Sequence, residues 1–145
     1  METNCMREIQ AITPESFAKY GTILDFTKES RGEFQIILRE PEKPWRMAVY
    51  RPSSRQCKML ENHPDSMETF EPIRGTSLLL AAPNNDPEAF EVFLLDKPVC
   101  FNKGIWHNVI ALSDDVLIRI NENLEVSGEY HTLSTPIAPR CVSVG

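Results

Sequence analysis

Short apolar or alternating runs, each cut off by proline, glycine or Asn/Asp/Ser turn residues about every eight to twelve positions, constrain this chain more than any other feature. They read as strands over 34–39, 46–51, 56–61, 68–72, 77–82, 90–95, 99–101, 108–111 and 116–121. Between them stand Pro41 to Pro44, Pro52-Ser-Ser, Pro64-Asp-Ser, Arg74-Gly75, Pro83-Asn-Asn-Asp-Pro87, Asp96-Lys-Pro98, Lys103-Gly104 and Ser113-Asp-Asp115. No long helical period intervenes, so strands must pair with their neighbours, which predicts an antiparallel sandwich or barrel. One helix is signalled, from the N-cap Thr13 with Pro14 at the first position and Glu15 in the first turn, to closure at Gly21.

At 145 residues the chain fits a single domain, 1–145, with an N-terminal helical segment in 1–30. Residues 123–145, containing Pro136 and Pro139, read as an irregular tail or an edge element. The net charge of −6 argues against nucleic acid as a partner, since phosphate contacts need a positive face. The apolar run from Leu78 to Pro83 is far too short to span a bilayer, and Met1 to Glu8 has no apolar leader, so no membrane is expected and the cytoplasm is the expected location. Cys5, Cys57, Cys100 and Cys141 form no Cys-x-x-Cys pair and read as free thiols.

Chemistry concentrates on two segments. Residues 61–75 carry Glu61, His63 and Glu68, and Gly104-Ile-Trp-His107 follows about thirty residues later. Two of the chain's three histidines fall there. Two imidazoles and a carboxylate brought together by a fold can hold a divalent metal or perform acid–base chemistry. Glu61 and His63 are two apart, so on a strand both point to one face. Glu61 can be a ligand or a base, and the turn at Pro64 leaves the direction of Glu68 open. His131 reads as a surface residue, and Glu122 with Glu125 as a solvated turn face.

These segments resemble the cupin motifs. His63, Glu68 and Gly75 are similar to the first motif, with Glu61 where a histidine is usual. Gly104 and His107 are similar to the second, which here lacks its proline. A narrower resemblance is to the ureidoglycolate lyase family. It is carried by Ile12-Thr-Pro-Glu-Ser-Phe-Ala-Lys-Tyr-Gly21, by Met47-Ala-Val-Tyr-Arg51, by Glu61-Asn-His-Pro with Phe70 and Pro72, and by Trp106-His107. The chain departs from that pattern at Asn108 and at Asn121, where the late strand usually ends Asp-Arg.

The resemblance implies a cupin-type β-barrel that cleaves ureidoglycolate, a small carboxylate-bearing substrate, to glyoxylate and urea in nitrogen salvage. It implies catalysis by Glu61, His63, Glu68 and His107, with His63, Glu68 and His107 holding one divalent metal ion such as Mn, Zn or Ni. Arg51 and Lys103 are expected to grip the substrate carboxylate, and Phe70 and Trp106 to line the pocket or the core. Edge strands make a homodimer plausible. Another metal-dependent cupin enzyme, an isomerase or dioxygenase, is the first alternative. A non-catalytic module binding small carboxylates is the second.

Overall fold

The computed structural model describes residues 6–144, which leaves Cys5 outside the described residues. In chain order the strands are β1 (Arg7–Gln10), β2 (Gly21–Ile23), β3 (Trp45–Tyr50), β4 (Cys57–Asn62), β5 (Glu68–Arg74), β6 (Ser77–Ala82), β7 (Glu91–Leu94), β8 (Val99–Phe101), β9 (Trp106–Ala111), β10 (Leu117–Asn123), β11 (Glu129–Ile137) and β12 (Val142–Val144). They form two sheets, ordered β11-β4-β9-β6-β7-β1-β12 and β2-β8-β5-β10-β3. Within them the antiparallel pairs β3–β10, β4–β9, β5–β8 and β6–β7 are nested, as in one long hairpin rolled up. Pairs β5–β10 and β6–β9 close the roll. This is the double-sheet jelly roll of a cupin-type barrel.

Strand β6 shows why the composition leads here. Its six residues are all buried, because both faces are covered. Leu79 and Ala81 point between the sheets, where Phe17, Tyr20, Phe93, Phe101, Val109 and Ile118 complete the main core. Leu78, Leu80 and Ala82 point the other way, against Leu60, Ile110, Leu133 and Ile137. A strand enclosed on both sides reads as a continuous apolar run instead of an alternating one.

Three expectations are corrected. The helix at 13–20 does not form. Phe17 N–H donates to Thr13 O (3.0 Å), making one α-turn, and Tyr20 and Gly21 N–H then both donate to Phe17 O. The start signal was sound, since Thr13 and Ser16 exchange backbone-to-hydroxyl hydrogen bonds at 2.9 Å. The segment instead bends to place Ile12, Phe17 and Tyr20 fully in the core, and a helix this short has little stability of its own to oppose that. Residues 34–39 form no strand: no strand of either sheet pairs with them, and Phe34 and Ile36 stay exposed. The stretch 123–145 is more regular than an irregular tail, since β11 pairs with β4 as a sheet edge and β12 runs parallel to β1.

Candidate active site

Alternation on β4 and β9 builds the centre. Glu61 and His107 are direct register partners on adjacent strands. On β9 the even residue Trp106 faces the outer cluster, so His107 points into the barrel. Past the turn, Glu68 opens β5 and lies beside Phe101 of β8 and Glu122 of β10. The fold thus brings Glu61, His63, Glu68 and His107 together from three strands and a turn.

Both imidazoles are oriented by backbone. His107 Nδ1–H donates to Ile105 O (2.9 Å) and His63 Nδ1–H to Ser127 O (3.0 Å), and a carbonyl can only accept. Both Nε2 atoms therefore face the carboxylates. His107 Nε2 lies 2.6 Å from Glu68 Oε1 and 4.0 Å from Glu61 Oε1; His63 Nε2 lies 3.5 Å from Glu68 Oε2 and 3.9 Å from Glu61 Oε1. The His107 ring is fixed by Phe101, stacked at 5.0 Å, and by the edge of Phe70 at 5.3 Å.

Burial of Glu68 opposes its charge, yet the hydrogen-bonding and positive neighbours His107 and His63 hold its carboxyl well below the usual range. His63 is pulled down by burial but pushed up to about 9 overall by Glu68, Ser127 and Glu61. The closest contact is not a satisfied one. His107 Nε2 and Glu68 Oε1 are buried and lack a hydrogen-bond partner, because their 2.6 Å approach misses hydrogen-bond geometry. With the Nδ1 atoms committed to carbonyls, both Nε2 atoms face carboxylate oxygens, and a cation among them would complete the set. Ligand atoms of Glu61, His63 and His107 lie within 4.8 Å of one another, as do those of His63, Glu68 and Glu122. The donor set fits a divalent metal.

Glu122, read from sequence as a solvated turn residue, is a buried member of this group. It accepts from Arg46 Nε (2.9 Å) and Nη2 (2.6 Å) and stands opposite Glu68 in the β5–β10 register. Burial, then Glu68, push its carboxyl up to about 7 against the pull of Arg46. Alternation from Ile118 and Ile120 would have found it, had the strand been read two residues longer. Asn121 therefore faces outward, donating to Glu71.

The expected substrate contacts divide. Phe70 lines the site. Trp106 does not: its Nε1–H donates to Asn84 O (2.9 Å) and it packs outside the barrel with His131. Lys103 pairs with Glu40 at 3.2 Å, beside the Gly104 turn, whose N–H donates to His63 O. Arg51 is exposed beyond β3 and lies near Asp115. The inward residues of β3 are Arg46, Ala48 and Tyr50, the last half-buried with its hydroxyl pushed up by burial and then by Glu61. A separate cavity of 320 Å³, lined by Leu24, Phe26, Phe34 and Ile37 among others, shares no residue with the cluster.

The ureidoglycolate lyase family model matches residues 34–125. A ureidoglycolate lyase of Azotobacter vinelandii is 39% identical over 130 residues, covering 74% of this chain and 78% of that protein. One from Agrobacterium fabrum is 26% identical over 121 residues, covering 69% and 73%. Among solved structures, a Bacillus subtilis oxalate decarboxylase matches with a TM-score of 0.47 and 16% identity, over 63% of this chain and only 24% of its own. The matched segment runs from before β3 to just past β10 and so takes in every residue of the converging cluster, which places this chain in the ureidoglycolate lyase family.

Proposed function

We propose that the chain cleaves ureidoglycolate to glyoxylate and urea, with Glu61, His63, Glu68 and His107 as the catalytic centre. The observation that carries this reading is the convergence of both Nε2 atoms and the Glu61 and Glu68 carboxylates on one point inside a barrel of that family.

The reaction is a retro-addition. The hydroxyl O–H bond breaks, a carbonyl C=O forms on the same carbon, the C–N bond breaks, and the departing nitrogen gains a proton. Glu61 is the base: its side chain is 38% exposed, whereas Glu68 is 7% exposed and engaged by both imidazoles. Oxygen and nitrogen share one carbon, so the carboxylate that takes the hydroxyl proton is within reach to return it to the leaving nitrogen. His63, Glu68 and His107 would hold a divalent metal, with Mn, Zn or Ni as candidates. Such an ion supplies Lewis-acid polarisation of the hydroxyl and of the developing oxyanion. Arg46 takes the part expected of Arg51. Two of its N–H groups bind Glu122 while the side chain is 47% exposed, leaving part of its fork for a substrate carboxylate. The working form is a homodimer, a reading supported by the exposed apolar face of edge strand β3. Among the described residues no helix is long and apolar enough to cross a membrane.

The test is release of glyoxylate and urea, above spontaneous decay, by purified protein with and without Mn²⁺, Zn²⁺ or Ni²⁺, beside His107→Ala. The expected result is turnover that falls by about a hundredfold or more in the variant. Absence of turnover with every metal would remove the lyase reading.

A further inference from the structure

We propose that Glu122 is a metal ligand of this site, making a set of two carboxylates and two imidazoles, and that Arg46 restrains it in the metal-free protein. The inference rests on the reading that His63, Glu68 and His107 hold a divalent cation. It goes beyond that reading, since neither cupin motif contains Glu122.

Three observations carry it. Glu122 stands directly across from Glu68 in the β5–β10 register, on the inward face that continues from Ile118 and Ile120. A ligand atom of Glu122 lies within 4.8 Å of those of His63 and Glu68. In an octahedral site with bonds of about 2.1 Å, neighbouring ligands stand about 3 Å apart and opposite ones about 4.2 Å, so modest tightening brings these atoms to one ion. The neighbouring atoms are also prepared for a cation: His107 Nε2 and Glu68 Oε1 are buried and stand 2.6 Å apart in the same space without completing a hydrogen bond. Two carboxylates side by side at 5% and 6% exposure are otherwise a costly arrangement, tolerated here with the help of Arg46.

The donor chemistry points to a class of ion. Carboxylate-rich sets suit Mn²⁺, whereas Zn²⁺ is content with four ligands rich in nitrogen or sulfur. Glu122 would therefore contribute more to Mn²⁺ affinity than to Zn²⁺ affinity. Arg46, two of whose N–H groups hold one oxygen of Glu122, opposes that contribution.

The experiment titrates the metal-free full-length chain with Mn²⁺ and with Zn²⁺, reading free and bound Mn²⁺ by electron paramagnetic resonance. Wild type, Glu122→Gln, Arg46→Gln and the double variant are compared. Glu122→Gln should weaken Mn²⁺ binding by about ten- to a hundredfold, weaken Zn²⁺ binding less, and change the spectrum of the bound ion. Arg46→Gln should tighten Mn²⁺ binding, and that tightening should vanish in the double variant. If the wild type binds Mn²⁺ and Glu122→Gln binds it within about twofold with the same spectrum, Glu122 is no ligand while the set of His63, Glu68 and His107 stands. If the wild type binds neither ion, the reading of His63, Glu68 and His107 as metal ligands falls and this proposal with it. Should Glu122→Gln fail to fold, Arg46→Gln decides: tighter Mn²⁺ binding supports the proposal and unchanged binding overturns it.

Discussion

Gly104 has φ of +81°, the left-handed region, and a methyl group there would meet Asn84 Nδ2 at 3.0 Å. Its N–H holds His63 O and its carbonyl accepts from Asn84 Nδ2 (2.8 Å), so one residue couples the two histidine segments. Gly104→Ala should cost about 1–2 kcal/mol of stability and, by shifting the turn, lower kcat/KM well beyond what that loss explains. Gly75 is the control. It has φ of +80° and its Cβ would meet Val116 Cα at 2.8 Å, in a turn that touches none of the catalytic residues. Gly75→Ala should therefore lower the melting temperature and leave the kinetics of the folded protein unchanged; equal kinetic losses in the two variants would refute the coupling. At this scale the sequence was readable wherever spacing alone decides direction, as for Gly104 with His107 or Glu61 with His63. It was silent on Arg46, whose importance comes from strands that meet only in the fold, and Glu122 was misread as a turn residue because β10 was ended too early. It misled at Trp106, because the neighbour of an inward histidine on a strand must point outward.

Most strands were legible because period two and breaker residues are local signals, and β6 announced its burial by being apolar throughout. Elements held by tertiary contacts were not. The segment expected to be a helix is pinned by Glu91 of β7, which accepts from Tyr20 and from Gln10 Nε2 (2.8 Å) and pairs with Lys19 at 2.9 Å. Burial works against ionised Glu91, but Tyr20, Gln10 and Lys19 together hold its carboxyl below the ordinary value. A depressed carboxyl contributes stability above its unfolded value, about 4.3, and loses that contribution as pH falls through its native value. Urea midpoints measured from neutral pH down to about pH 3 should therefore converge between wild type and Glu91→Gln, with a neutral-pH difference of about 1–2 kcal/mol. A difference independent of pH would show that Glu91 acts by packing and not by its charge. Strand β11 depends in the same way on a distant partner, since Glu88 receives Ser134 Oγ–H (2.7 Å) and contacts His131 Nε2 (2.5 Å). No local pattern in 123–145 encodes that.

For the molecule as a whole, the open question of edges is answered unevenly. Edge strands β2 and β12 have three residues each, too short to template another chain. Edge strand β3 has six and pairs on one side only, with β10. Its outward face carries Met47 at 71% and Val49 at 72% exposure. Pairing of two β3 strands about a twofold axis would satisfy both edges and bury these rows against their own copies, an isologous contact that closes at two subunits. Arg46 lies on the same strand, so assembly would also steady the cation beside Glu122. Sedimentation at micromolar concentration should show a dimer for the wild type and a monomer for the Met47→Lys, Val49→Lys double variant, whose charges oppose each other across the axis. Because the inward face of β3 is untouched, the monomer should stay folded yet show a higher KM through a less fixed Arg46. A wild type that sediments as a monomer would leave β3 an uncovered edge and remove assembly from any account of the site.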